Sequence, residues 1–484
     1  MTPTAPRGQP AIIQGGMGVG VSGWRLARAV ASSGHLGVVS GVGLDTQLAR
    51  RLQLGDPGGH LRRGLARFPF AGVAEQILER YYVPGGAGTR QPFRLVSLGS
   101  LRPATASVQL VVAANFVEVF LAKEGHGGAV GINYLEKLQM ATPAAVYGAM
   151  LAGVDYVLVG AGIPAEIPGL LNSFAAGRSG SVTVGMHDSS EAQARVVVDP
   201  ASVFGASAEM PRPRFLAVIS SHILAGYLAR DERTRPDGYV VEAPEAGGHN
   251  APPRGPLVLD DAGEPVYGPR DTVDFDKIAA LGLPFWLAGG QVGPGKLDDS
   301  RARGAAGIQV GSAFALCEES AMDPSLKREL IDRWFAGTLR IRTDTVASPT
   351  GFPLKVAQLP ETVGEQPVYE QRVRNCDIGY LRVPYRQADG RIGYRCPAEP
   401  IGTYIRKGGQ AGDAVGRRCL CNGLISTIGL GQRRRGRPSE PPLVTIGQDL
   451  SFLHHLASSP SRCYTAADVI AYLLRPGPRD GAQG

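Results

Sequence analysis

Glu245-Ala-Gly-Gly-His249 places an ionisable ring after two glycines, just beyond the apolar run Gly238-Tyr-Val-Val-Glu242. Glycine lets backbone come close to a flat ligand. An imidazole titrates near neutrality and can take or give a proton at a bound substrate. His249 is therefore the candidate catalytic residue, with Gly247 and Gly248 as candidate ligand contacts. Other glycine turns stand in the same relation to an apolar run. Gly16-Met17-Gly18 follows Ala11-Ile-Ile-Gln-Gly15, Gly289-Gly290 follows Phe285-Trp-Leu-Ala288, and Gly311-Ser312 follows Ile308-Gln-Val310. Met17 between glycines can lie along an aromatic ring system while the backbone bonds its edge. Asn133 and Gln14, each at the end of an apolar run, are uncharged groups that can both donate and accept. The two late turns suit a phosphate, with glycine allowing close approach and the Ser312 hydroxyl adding a hydrogen bond. Singly, each has a bland alternative, such as a core histidine or an ordinary turn. Their shared position after apolar runs is what joins them.

The elements that must position these residues alternate in type. Short apolar runs at Ala11–Gly15, Leu36–Ser40, Ala129–Asn133, Tyr156–Gly160, Phe215–Ser220, Gly238–Glu242, Phe285–Ala288 and Ile308–Ser312 read as buried parallel strands. Helical patterns separate them, the first starting at Trp24 with Ser22 as its expected N-cap. Eight such units predict a (β/α)8 TIM barrel in preference to a doubly wound sheet, because glycine and polar residues recur just after the strands, where barrel enzymes place their sites. The barrel is assigned to residues 1–345, with insertions near 44–90, 165–213 and 250–270. The second insertion contains two runs, Ser181–Val184 and Arg195–Val198, that predict a peripheral hairpin. From residue 346 to 476 the alternation stops and proline, glycine, tyrosine and arginine become common, which predicts an accessory region. It ends in helices, one opened by Thr465-Ala-Ala-Asp468 as a capping box. Residues 477–484 read as a disordered tail.

The 484 residues carry a formal charge of +7 and 66 glycines, which are not periodic as in a collagen. The basic excess peaks at Arg433-Arg-Arg-Gly-Arg437, with Arg406, Lys407, Arg417 and Arg418 nearby. Without interleaved aromatics it reads as a solvated loop, not a nucleic-acid surface. No run approaches the roughly 18 apolar residues of a membrane span, and the first residues lack a secretory h-region. A cytoplasmic location is expected, and the six cysteines do not form a disulfide framework. Cys376, Cys396, Cys419 and Cys421 are the only zinc candidates. Their spacing fits buried reduced thiols better than a four-thiolate site.

Gln14-Gly-Gly-Met-Gly18, Gly131-Ile-Asn133, Glu245-Ala-Gly-Gly-His249, Ala288-Gly-Gly290 and Gly307-Ile-Gln-Val-Gly-Ser312 occur in the order of motifs of the nitronate monooxygenase (2-nitropropane dioxygenase) family, which the chain resembles from about Ala11 to Arg340. The resemblance implies an FMN-binding barrel, with the phosphate at Gly290, Gly311 and Ser312. It places Gln14, Gly16, Met17, Gly18 and Asn133 toward the isoalloxazine, Gly247, Gly248 and Gly289 beside the cofactor, and His249 at the reaction. The implied activity is oxidation of alkyl nitronates with O2 to carbonyl compounds and nitrite. The same superfamily includes FMN enoyl-(acyl-carrier-protein) reductases with a like histidine loop. The alternative is therefore NAD(P)H-dependent reduction of an enoyl thioester, with an acyl carrier protein as partner. A homodimer is a candidate assembly in either case. The chain departs from the short family members at Asn250 and Tyr134, in its insertions and in its C-terminal region, and these departures bear on the substrate.

Overall fold

The computed structural model describes residues 8–187, 193–436 and 438–477. Strands β1 (Ile12–Gln14), β2 (Leu36–Ser40), β3 (Val130–Leu135), β4 (Tyr156–Gly160), β5 (Gly180–Gly185), β6 (Gln193–Val198), β7 (Arg214–Ile219), β8 (Gly238–Glu242), β9 (Phe285–Ala288) and β10 (Gly307–Val310) precede the C-terminal region. Eight of them form a closed barrel in the order β1-β10-β9-β8-β7-β4-β3-β2, paired in parallel. The architecture is a (β/α)8 TIM barrel. The strands read as unbroken apolar runs because both faces are covered. Ile13, Val38, Leu158, Leu216, Val240 and Trp286 fill the interior, and helices cover the outside.

Close packing of helices on strands explains some of the glycine. A Cβ on Gly37 of β2 would lie 1.9 Å from the carbonyl oxygen of Ala27, in helix Trp24–Ser32. That helix does not use Ser22 as its cap. Gly23 holds the N-cap position, and the Trp24 N–H is bonded instead by Glu118 Oε1 at 2.7 Å. Glu118 reaches it from helix Thr105–Lys123, the one helix among the described residues long and apolar enough to cross a bilayer, with 67% of its apolar window buried. It is apolar on several sides because helices Trp24–Ser32, Leu44–Gln53 and Thr142–Leu151 all pack on it.

The first insertion is helical at Leu44–Gln53, His60–Leu65 and Ala71–Tyr81. The second carries β5 and β6, paired antiparallel as the predicted hairpin and outside the barrel. The third, after β8, has a short bridge between Leu259 and Pro265.

The C-terminal region adds two antiparallel pairs, β11 (Ile341–Asp344) with β12 (Leu354–Ala357) and β13 (Val383–Arg386) with β14 (Ile392–Arg395). It does not form a core of its own alone. Ile425, Phe452 and Leu473 share one apolar cluster with Ile12, Leu26 and Phe314 of the barrel. Helix Ala466–Leu473 begins with a reciprocal capping box between Thr465 and Asp468. The basic stretch differs from expectation. Arg418 is buried against Asp344 at 3.2 Å, Arg434 pairs with Glu440 at 2.9 Å, and Arg433 lies over the Phe93 ring at 4.7 Å. These arginines tie loops together, which the charge pattern alone does not reveal. Arg437 and the tail at 478–484 lie outside the described residues.

Candidate functional site

A cavity of about 250 Å³ opens at the C-terminal ends of the barrel strands. Its floor is set by the turn after β1. Met17 N–H donates to the Ser22 hydroxyl (2.9 Å), which in turn donates to the Gly15 carbonyl (3.0 Å), so Ser22 folds the glycine turn rather than capping a helix. Gly16, Met17 and Gly18 border the cavity. Asn133, at the register position opposite Ser40, donates from Nδ2 to the Gly16 carbonyl at 3.2 Å. A Cβ on Gly16 would sit 2.4 Å from the Asn133 Cβ, so only glycine fits there.

Gln14 does not reach the cavity. It is fully buried, donating to the Ser22 hydroxyl and the Val38 carbonyl and accepting from the Val38 N–H. Strand alternation explains the correction, since residues one apart point to opposite faces. Gln14 joins β1 to β2, and the cofactor contact expected of it is withdrawn.

The histidine loop crosses the rim. Gly247, Gly248 and His249 all line the cavity. His249 Nε2 lies 2.7 Å from the Ser348 hydroxyl, and burial pushes its pKa down to about 4, so the ring is neutral at neutral pH. Gly289 and Gly290 take φ of 81° and 63°, a left-handed turn that glycine adopts without strain. A side chain on Gly289 would press on the Ala243 carbonyl, whereas the space beside Gly290 and Gly248 is open. Gly311 and Ser312 close the ring after β10, Ser312 starting helix Ser312–Ala315.

The structure adds residues that the motifs did not mark. Glu242, the last residue of β8, lines the cavity, and burial pushes its carboxyl up to about 7. Gln309 of β10 also lines it, and its Oε1 is buried without a hydrogen-bond partner. An inward polar residue at the C-terminal end of a barrel strand is a readable signal, and both have it. Thr445, Gly447 and Asp449 had none. They arrive from the C-terminal region, with Gly248 N–H donating to Thr445 Oγ1 and Gly447 N–H to Ser312 Oγ, both at 2.9 Å. Among the described residues the cavity lining contains no lysine or arginine.

Cys376, Cys396, Cys419 and Cys421 come together in the C-terminal region. The four thiols border one small cavity of about 10 Å³, but among the described residues no three His, Cys, Asp or Glu are placed to hold a metal ion. Without a metal, burial pushes the Cys376 thiol up to about 12 and raises the Cys396 and Cys421 thiols as well.

No family model matches the chain. It is 33% identical over 96 residues to a probable nitronate monooxygenase of Bacillus subtilis (strain 168), a match covering 20% of this chain and 26% of that protein. The matched part thus spans about a quarter of that relative. Among solved structures, a nitroalkane oxidase from Streptomyces ansochromogenes is 15% identical, covering 96% of this chain and 94% of its own, with a TM-score of 0.45. FabK from Thermotoga maritima is 17% identical over 72% of each chain, with a TM-score of 0.38. The resemblance to the nitronate monooxygenase family therefore stands on the ordered motifs and on a partial sequence match.

Proposed function

We propose that this protein is an FMN-dependent oxidoreductase that oxidises alkyl nitronates. Net, two nitronate anions and one O2 give two carbonyl compounds and two nitrite ions. The observation that supports it is the convergence of four glycine turns, after β1, β8, β9 and β10, with His249 on one cavity at the strand C-termini.

The residues fit the cofactor. Open space beside the α-carbons of Gly290 and Gly248 leaves room for a ligand to come close to the backbone there. The buried, unpartnered Gln309 Oε1 wants a donor, which the edge of a flavin ring supplies. With no cationic side chain in the lining, a phosphate would be held by backbone N–H groups at Gly290 and Gly311 and by the Ser312 hydroxyl. Met17, Gly18 and Asn133 would hold the ring. When bound, the flavin supplies the electron transfer between substrate and oxygen. The chain does the rest. Neutral His249 donates one N–H toward the nitronate oxygens, and Leu354, Leu424 and Ile446 wall the cavity from water.

Two outcomes test this reading. Gly16→Ala pushes Asn133 off the turn, and its affinity for FMN is expected to fall about tenfold, the scale of one lost hydrogen bond plus strain. Titration of apoprotein with FMN measures it, and unchanged affinity removes the turn from the cofactor site. For the reaction, the flavoprotein is mixed anaerobically with an alkyl nitronate in a stopped-flow instrument. Bleaching of the visible flavin band by nitronate, with nitrite released on aeration, is the expected result. Bleaching by NADPH with no response to nitronate marks an enoyl-thioester reductase instead.

A further inference from the structure

The loop bearing His249 is held by a segment that the barrel itself does not contain. The backbone runs antiparallel to residues before and at the start of β12: His249 bridges to Leu354, Asn250 N–H donates to the Pro353 carbonyl, and Lys355 N–H to the Gly248 carbonyl, both at 2.9 Å. Ser348, fully buried, lies on the turn just upstream. Arg417 fixes that turn from outside, donating from Nη1 to the carbonyls of Val346 and Ser348.

The hydrogen-bond chain has a direction. Ser348 Oγ lies 2.7 Å from His249 Nε2 and 2.7 Å from Thr350 Oγ1, and it accepts the Thr350 N–H at 3.2 Å. Thr350 Oγ1 accepts the Phe352 N–H at 3.3 Å. A hydroxyl has one proton and two acceptor sites. If His249 donated from Nε2, both acceptor sites of Ser348 would be filled and its proton would go to Thr350. Thr350 Oγ1 would then accept twice, and its own proton would have no protein partner. If Thr350 donates to Ser348 and Ser348 donates to Nε2, the one proton left without a protein partner is that on His249 Nδ1, on the ring that borders the cavity, where an anionic substrate can accept it.

We infer that Ser348 is a positioning residue that holds His249 in the tautomer with its proton on Nδ1, so that the ring presents a donor to the cavity. This rests on the assignment of His249 to the reaction. Nδ1 has no hydrogen-bond partner among the described residues, and the ring borders the cavity. The tautomer of a histidine is set by the bond its other nitrogen makes, and here that bond comes from the C-terminal region. Burial keeps the ring neutral, so one ring nitrogen carries the proton and the other is free to accept.

The test uses the flavoprotein labelled with 15N-histidine. The His249 resonances are identified by their loss in His249→Ala. The wild type is expected to show a protonated Nδ1 and an unprotonated Nε2. Ser348→Ala is expected to shift this pattern toward a mixture and to lower kcat/KM about tenfold at unchanged flavin content, and Ser348→Thr to restore both. An unaltered nitrogen pattern in Ser348→Ala overturns the inference. If that variant does not fold, Thr350→Val serves, since losing Oγ1 removes the group that sets the direction, and an unaltered pattern there overturns it equally. A His249→Ala enzyme with full turnover overturns the functional assignment instead, and the nitrogen pattern separates the two failures.

Discussion

On the proposed function, His249→Ala is expected to lower kcat/KM for an alkyl nitronate about 10²- to 10³-fold, the usual range for losing one positioned hydrogen-bond donor, with flavin content unchanged. The two effects separate because different groups carry them. The proposed flavin contacts lie in the turns after β1, β9 and β10, with Asn133, Gln309 and the backbone of Gly247 and Gly248, and the imidazole hydrogen bond goes to Ser348 and to none of them. The loop itself stays in place through Gly248 N–H to Thr445 and Asn250 N–H to Pro353. The substitution leaves the buried Ser348 hydroxyl without its partner, a cost of about 1–3 kcal/mol in stability. A lower melting temperature with full flavin content is therefore part of the expected result. Nitrite release at steady state and the flavin-to-protein absorbance ratio measure the two sides. Turnover within threefold of wild type would remove His249 from the mechanism.

The second large effect is one of pH. Glu242 lines the cavity, and its carboxyl is raised to about 7 by burial. Below that pH it is neutral and Glu242 adds no charge against an anionic substrate. Above it, carboxylate and nitronate share a poorly solvated space. Two unit charges about 4 Å apart repel by about 4 kcal/mol at an effective dielectric near 20. That is large enough for kcat/KM to fall about tenfold per pH unit, reaching roughly a hundredfold by pH 9. Glu242→Gln keeps the shape and removes the charge, so its profile stays flat through the same range. A limb near pH 7 that survives in the glutamine variant assigns it to another group.

The same two residues act oppositely on stability. Glu242 has a folded pKa above its usual 4.5, so its contribution is complete below pH 4.5 and is lost as pH rises through about 7. His249 has a folded pKa below its usual 6.5, so its contribution is present above pH 6.5 and is lost as pH falls through about 4. Between pH 4.5 and 6.5 the slopes oppose each other. Removing either group alone exposes the other's.

The barrel was legible because each of its strands is a short apolar run buried on both faces, so composition and position coincide. The turns were legible for a related reason: only glycine takes the left-handed angles at Gly289 and Gly290 or survives the contact of Gly16 with Asn133. Gln14 misled because a polar residue at a strand end faces either into the site or into the wall, and one residue of register decides which. Ser22 matched a cap pattern but bonded the glycine turn, where Met17 N–H offered a closer donor. The C-terminal contributors were not legible. Ser348 lies 99 residues from His249, and Gly447 lies 135 from Ser312. Neither stretch has a periodicity that could announce its destination. Arg433 and Arg418 were misread for the same reason, since their partners are set by packing and not by neighbours in sequence.

The bond from Gly447 to Ser312 also sets a schedule. A ribosome adding roughly 5–20 residues per second needs about 7–27 s to go from one to the other. For that interval the emerging barrel has all its strands, but the rim of its cavity lacks Thr445 and Gly447 and the apolar cluster around Ile12 and Phe314 lacks Phe452 and Leu473. The nascent chain must therefore tolerate an open, partly greasy mouth, and the finished pocket cannot exist before residues 445–473 have been made.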